Sequence, residues 1–296
     1  MSALLSNYVT HFRFTFGEFR TNIPKVGLST AWRFFLMRLT VPFGRPRRYF
    51  IRRQAQSRVV AAIDATGFVQ LPPLAPQTVQ QVLGRLLANV SGQLPAHVRS
   101  VDEYAAALRR SNVERQTGLL SNGASDCVLA EVARSPEFAE LAAQYLELDA
   151  ADIIVEATVD MLVSLDTQKP AGAYDNALEF HRDIDGYRFI KMFVYLTDCF
   201  EGNGHHELYL ESHRSYPLQL APIRRYSPEE ISRYLPQAVL KRVIGPAGYA
   251  FAENTLVFHR GTPPVRSHRV ILNLIYTEAS LRRYYTNAFQ LRPSNL

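Results

Sequence analysis

Glu179-Phe180-His181-Arg182-Asp183 is the segment of this 296-residue chain with the clearest capacity for chemistry. Residues two apart in a strand share a face, so His181 and Asp183 can grip one ion between them. A third donor is needed. The run Thr255-Leu256-Val257-Phe258-His259 supplies a histidine at the end of a second β-rich stretch. Two imidazoles and one carboxylate on one side of a cation leave about three coordination positions open, the facial arrangement of non-haem Fe(II) oxygenases. The same donors can also hold zinc. A His-x-Asp pair is common by chance, so the weight rests on its company. Ten residues after His259 comes Arg269, at the head of the apolar run Val270–Tyr276. A guanidinium there is costly unless a carboxylate meets it. A dicarboxylate that chelates the ion at one end would offer its far carboxylate for a two-point grip. Lys191 lies in an apolar run and shares a face with Phe193 and Tyr195. It either touches such a cosubstrate or substrate, or extends to an edge. His205, His206 and His213 are expected at the surface or behind the ligands rather than among them. His268 is expected on the face opposite Arg269, and Tyr174, Asp175 and Asn176 on a loop beside the site.

The elements that must position these groups change character near residue 153. Beyond it, β-rich runs follow at 153–165, 177–183, 188–197, 206–211, 238–244, 248–252, 255–259 and 268–277, separated by Gly, Pro, Asn and Asp clusters. Eight short strands with this punctuation predict a sandwich or jelly roll rather than βαβ units. Ser227-Pro228-Glu229-Glu230 predicts a helical insertion over 222–236. Residues 57–150 read mostly as helix, after a short strand at 67–71 that stops at Pro72-Pro73. Thr78 is placed to cap a helix with apolar positions Val79, Val82, Leu83, Leu86 and Leu87. Ser135-Pro136-Glu137 opens another, with a side-chain cap and a first-turn proline.

Hydrophobic residues make up 47% and charged residues 20%, which excludes global disorder. Two cysteines, Cys127 and Cys199, cannot build a disulfide framework. No run of eighteen apolar residues offers a spanning helix, and the start lacks the basic-then-apolar order of a secretory signal. A cytoplasmic location is expected. The charge is uneven. Residues 1–60 hold eleven Lys or Arg and one acid, Glu18, a balance of +10, whereas the remainder carries −4. Within the arm 1–56, Trp32, Phe34, Phe35, Leu36 and Leu39 alternate with arginines, and Arg45, Arg47, Arg48, Arg52 and Arg53 follow. This composition suits peripheral contact with an anionic membrane. It also suits an arm packed on the body with solvated arginines, and is compatible with an organellar targeting segment. Nucleic acid is not expected, because no reading motif accompanies the charge.

Taken in order, His181-Arg182-Asp183, the strand Phe189–Asp198, the turn Gly202-Asn203-Gly204, Glu211-Ser212-His213-Arg214, Phe258-His259-Arg260-Gly261-Thr262-Pro263-Pro264 and Arg269 resemble the phytanoyl-CoA dioxygenase family of Fe(II)/2-oxoglutarate oxygenases. The resemblance covers roughly 57–290 in architecture and is specific from 179 to 276. It implies a mainly β fold with α additions: a double-stranded β-helix (jelly-roll, cupin-like) core at 151–296, preceded by helices in 57–150. It implies Fe(II) held by His181, Asp183 and His259, with 2-oxoglutarate and O2 as co-reactants. Arg269 would bind the far carboxylate of 2-oxoglutarate, with Thr262 as a hydroxyl partner. The substrate would be a small or lipid-linked molecule, hydroxylated at an unactivated C–H bond. Departures are Gly204-His205-His206-Glu207, where the family has a proline after the turn, and Glu211-Ser212-His213 in place of Gly-Ser-His. Both bear on substrate-side contacts. Asp183 stands where halogenating relatives carry a small residue, which favours hydroxylation. The competing expectation is a non-catalytic jelly-roll binding protein, tethered to an anionic surface by its basic arm.

Overall fold

The computed structural model describes residues 57–91, 98–121, 127–165, 178–183, 189–214, 216–220, 225–265, 267–282, 285 and 287–291. The arm 1–56 and the expected loop at Tyr174, Asp175 and Asn176 lie outside the described residues. In chain order the elements are α1 (Arg58–Thr66), β1 (Phe68–Leu71), α2 (Pro76–Ser91), α3 (Val101–Arg110), β2 (Arg115–Ser121), α4 (Cys127–Ala133) and α5 (Pro136–Leu146). There follow β3 (Ile153–Val163), β4 (Phe189–Tyr195), β5 (His206–Tyr209), α6 (Pro228–Tyr234), β6 (Leu240–Val243), β7 (Ala250–Glu253), β8 (His259–Gly261), β9 (His268–Glu278) and β10 (Phe289–Gln290).

The long antiparallel pair β3–β9 is the spine, in register from Ile153 opposite Glu278 to Val163 opposite His268. Around it forms a seven-stranded sheet in the order β1-β7-β4-β9-β3-β10, with β2 also on β3. A three-stranded sheet, β6-β5-β8, faces it. Every strand pair is antiparallel. This is a jelly-roll, cupin-like fold, as expected from the strand punctuation. Tyr195 ties the sheets together: its hydroxyl donates to Val243 O at 2.7 Å and accepts from His206 N–H at 3.0 Å.

The helices cover the outer face of the large sheet. Their apolar stripes, such as Val79, Val82, Leu86 and Val90 of α2 and Phe138, Leu141, Ala142 and Tyr145 of α5, form one core with Val155, Ala157, Val159 and Met161 of β3. Alternation in β3 puts those residues on one face, so both faces of this strand are enclosed. α1 is capped by Ser57 and ends at Gly67, whose φ of +88° and whose approach to Val257 leave no room for a side chain. α6 carries the expected capping box between Ser227 and Glu230.

Several boundaries differ from expectation. α2 begins at Pro76, whose ring suits a first turn, so Thr78 lies inside the helix. Ser135 precedes α5, but its hydroxyl makes no capping bond; its carbonyl accepts from Phe138 and Ala139 instead. β2, inside the region read as helix, is a bulged strand that shifts register between Gln116 and Leu120 and places Gly118 at φ +62°. The run 255–259 is a buried turn rather than a strand. Asn254 fixes it by accepting from Leu256 N–H, and His259 starts β8 instead of ending a strand. Burial of Leu256, Val257 and Phe258 accounts for their apolar character without any sheet pairing.

Candidate active site

His181 and His259 form an isolated antiparallel bridge, exchanging both N–H···O=C bonds at 2.9 Å. Directly opposed residues share a face, and their ring centroids stand 4.3 Å apart. Asp183 follows two residues after His181, its N–H fixed by Thr255 O at 2.8 Å. One donor atom from each of the three lies within 4.8 Å of the others. His181 Nε2 is 3.5 Å from Asp183 Oδ1, and His259 Nε2 is 3.3 Å from Asp183 Oδ2. The far nitrogens are committed elsewhere: His181 Nδ1 to Glu179 O at 2.8 Å and His259 Nδ1 to Val257 O at 3.0 Å. A carbonyl oxygen only accepts, so each Nδ1 carries hydrogen, and Nε2 is the ring atom that each histidine turns toward the carboxylate. These donors fit a divalent cation.

Electrostatics set the two rings apart. Burial, together with the nearby His259, pushes the His181 imidazole down to about 3, so it is neutral and ready to donate. Burial would raise the Asp183 carboxyl, but Lys191 and the two histidines outweigh it and hold the group well below its usual range. His259 is raised, because Glu253 and Asp183 overcome the burial that would lower it. Lys191 Nζ reaches Asp183 Oδ2 at 2.7 Å, so its ammonium points into the site rather than to an edge.

Behind the histidines sits Glu253, fully buried on β7. Its Oε1 is 3.5 Å from His259 Nδ1 and its Oε2 is 2.7 Å from His206 Nε2. The His206 ring stacks on that of His259 at 5.5 Å. His205 is also buried, against Glu207 at 3.3 Å. Neither is a surface group, and His206 stands beside His259. His213 bonds Asp64 O at 3.0 Å, and His268 faces Asp102 at 3.8 Å, away from the site as expected.

Arg269 is buried on β9 and donates through Nη1 to Gly204 O. Its Nε has no hydrogen-bond partner, and among the described residues no carboxylate pairs with it. Gly261 makes room for it: a Cβ there would lie 3.3 Å from Nη2. A buried cation with open donor capacity beside the candidate metal ligands suits an incoming carboxylate. Thr262 does not join it, since its hydroxyl donates to His205 O at 3.0 Å.

A cavity of about 290 Å³ unites these groups, bounded by His181, Asp183, Lys191, His206, His259 and Arg269. Its remaining floor comes from Arg115 of β2, Thr158 and Asp160 of β3, and Asn273 of β9, with Arg225 also lining it. The sequence reading missed this set and Glu253. Its signal was the alternation Glu156, Thr158, Asp160 within an apolar strand, which marks the face turned to the cavity.

No protein-family model matches this sequence, and no curated relative matches it. Comparison of folds gives a clear answer. EctD from S. alaskensis with bound Fe superposes with a TM-score of 0.52 at 18% identity, over 77% of this chain and 78% of that one. The crystal structure of EctD with 2-oxoglutarate and 5-hydroxyectoine gives 0.51 at 18%, over 76% and 77%. The non-heme alpha ketoglutarate dependent epimerase SnoN from nogalamycin biosynthesis gives 0.49 at 16%, over 75% and 82%. The two EctD structures, one with Fe and one with 2-oxoglutarate and 5-hydroxyectoine, share with this chain the jelly-roll fold described above.

Proposed function

We propose that the chain is an Fe(II)/2-oxoglutarate-dependent oxygenase of the phytanoyl-CoA dioxygenase type, with residues 57–296 as its catalytic unit. The observation that carries this reading is the conjunction of two inward-facing imidazoles and a carboxylate with a buried arginine that pairs with no carboxylate among the described residues. His181, Asp183 and His259 would hold the iron. Arg269 would take the far carboxylate of 2-oxoglutarate. Thr262 keeps its hydroxyl on His205, so the anchor falls to Arg269 alone. Iron(II), 2-oxoglutarate and O2 together supply an oxidant for an unactivated C–H bond, consuming the 2-oxo acid to succinate and CO2.

The protein's share is placement and protection. The His181–His259 bridge fixes both rings before any ligand arrives, which limits reorganisation. Lys191 orients the Asp183 carboxylate. Phe193 and Ile271 on the cavity wall exclude water around the reacting atoms. The substrate is a small molecule, since the cavity lies near the lower end of the ~300–1,000 Å³ range of ligand pockets.

Succinate formation from 2-oxoglutarate, with Fe(II) and O2, tests the reading. It is expected from the full chain and absent from Asp183→Ala. A chain that binds metal yet never yields succinate, with or without candidate substrates, would instead be the binding protein of the alternative reading.

A further inference from the structure

We infer that the ring of His206, held by Glu253, is a wall of the cosubstrate channel and sets the chain length of the 2-oxo dicarboxylate that fits between the candidate metal ligands and Arg269. The inference rests on the oxygenase reading and adds to it a specificity-determining residue.

Strand register places the ring. His259 and Gly261 are two apart on β8 and so share a face. Across on β5, Leu208 stands opposite His259 and His206 opposite Gly261. The Arg269 guanidinium comes up against the same glycine: a Cβ there would lie 3.3 Å from Nη2 and 3.4 Å from Nη1. His259 and the head of Arg269 therefore bracket one two-residue step of β8, about 7 Å. His206 lines the cavity beside that step. A dicarboxylate that chelates at the His259 end and reaches Arg269 with its far carboxylate must lay its methylenes along it.

The ring is fixed from several sides. Its Nε2 is 2.7 Å from Glu253 Oε2. Its face stacks on His259 at 5.5 Å, the planes 19° apart. The rings of Phe193 and Phe251 each stand 5.4 Å away. Its backbone N–H donates to the Tyr195 hydroxyl at 3.0 Å. Glu253 is itself fully buried on β7, a strand paired on both sides by β1 and β4. An apolar pair of the same volume would cost less to bury. What this pair supplies is a ring that cannot turn out of the channel. Against a wall that does not yield, one added methylene is felt.

Calorimetry on the full chain loaded with Mn(II) tests this with two probes, 2-oxoglutarate and the one-methylene-longer 2-oxoadipate. One methylene in a fitted pocket is worth about 10- to 200-fold, so the parent should prefer 2-oxoglutarate by that much. His206→Ala and His206→Gln should each cut the preference at least about tenfold. The second keeps a donor for Glu253, so the test survives if the first fails to fold. Glu253→Gln keeps the volume but loosens the grip, and its preference should fall between those of the parent and His206→Ala. Mn(II) affinity is measured for every variant. A merely structural loss near His259 would weaken Mn(II) and both acids alike and leave their ratio unmoved. A parent that binds both acids equally, or a parental ratio in His206→Gln and Glu253→Gln, overturns the wall. Loss of Mn(II) binding in all three variants also overturns it, making the pair a support of the metal ligands. A parent that binds Mn(II) but not 2-oxoglutarate contradicts the oxygenase reading, and the wall falls with it; a parent that binds 2-oxoglutarate while the variants keep its selectivity removes the wall alone.

Discussion

The two faces of the large sheet are made by the same strands and have opposite chemistry. On β9, Val270, Leu272, Leu274 and Tyr276 turn outward into the helix-covered core, while Arg269, Ile271, Asn273 and Ile275 turn inward to the cavity. β4 divides likewise: Ile190, Met192 and Val194 outward, Lys191 and Phe193 inward. The outer face is continuous hydrocarbon, and its burial stabilises the fold. The inner face carries ionised and hydrogen-bonding groups, whose burial costs stability. Stability and function are thus separated by a single residue's step along each strand.

Substitutions on adjacent residues should therefore have unlike consequences. The largest effect is expected at Asp183→Ala, which removes the carboxylate between the two imidazoles. Metal affinity should fall by about 100-fold or more while the melting temperature stays close to that of the parent. Isothermal titration with Mn(II) and a thermal melt check both halves. A large loss of stability would show that the inner face also holds the fold.

Leu274→Ala, on the outer face, should do the reverse. Deleting a fully buried leucine typically costs about 2–5 kcal/mol, the spread reflecting how far the cavity relaxes. Denaturant unfolding should record this, and the folded fraction should bind Mn(II) with unchanged affinity. Its neighbour Asn273→Ala should lose only about 0.5–1.5 kcal/mol, the worth of its bond to Asp160.

The smallest effect concerns acid. Glu207 on β5 pairs with Arg260 at 2.8 Å and faces His205. Burial would raise its carboxyl, but the contacts with His205 and Arg260 lower it from 4.5 to about 2. A depressed folded value means that the unfolded chain binds its proton first as pH falls. The stabilisation is therefore complete above about 4.5 and is lost as pH drops toward about 2. Thermal melts over that window should show a shallower pH slope for Glu207→Gln than for the parent. Identical slopes would assign the acid sensitivity elsewhere.

What the sequence disclosed follows the same division. The grouping of His181, Asp183 and His259 was legible from residue type and spacing, although 177–183 forms isolated bridges at Phe180 and His181 rather than the expected strand, and the strand-rich half was legible from its turns. Glu253 was not, because a lone glutamate closing an apolar strand reads as an exposed edge; only the fold sets it against two histidines. Arg115 was hidden for a related reason. Its strand, Arg115–Ser121, is short, contains Gly118 and lies among helices, and its pairing partner is fixed only in three dimensions. The apolar turn at 255–259 shows the opposite failure: β-like composition arising from burial without pairing. For His205 and His206, expected at the surface or behind the ligands, burial excludes the surface.

The central claim is that the inner face assembles a metal site and a carboxylate anchor for one cosubstrate. Anaerobic titration of 2-oxoglutarate into the full chain, with and without Fe(II), and in Arg269→Gln, tests it most directly. The account predicts one-to-one binding that depends on the metal and weakens about 10- to 150-fold in the variant, the loss of a charged two-point contact of about 1.5–3 kcal/mol. Equal binding with and without Fe(II), or an Arg269→Gln variant that binds as tightly as the parent, would contradict it.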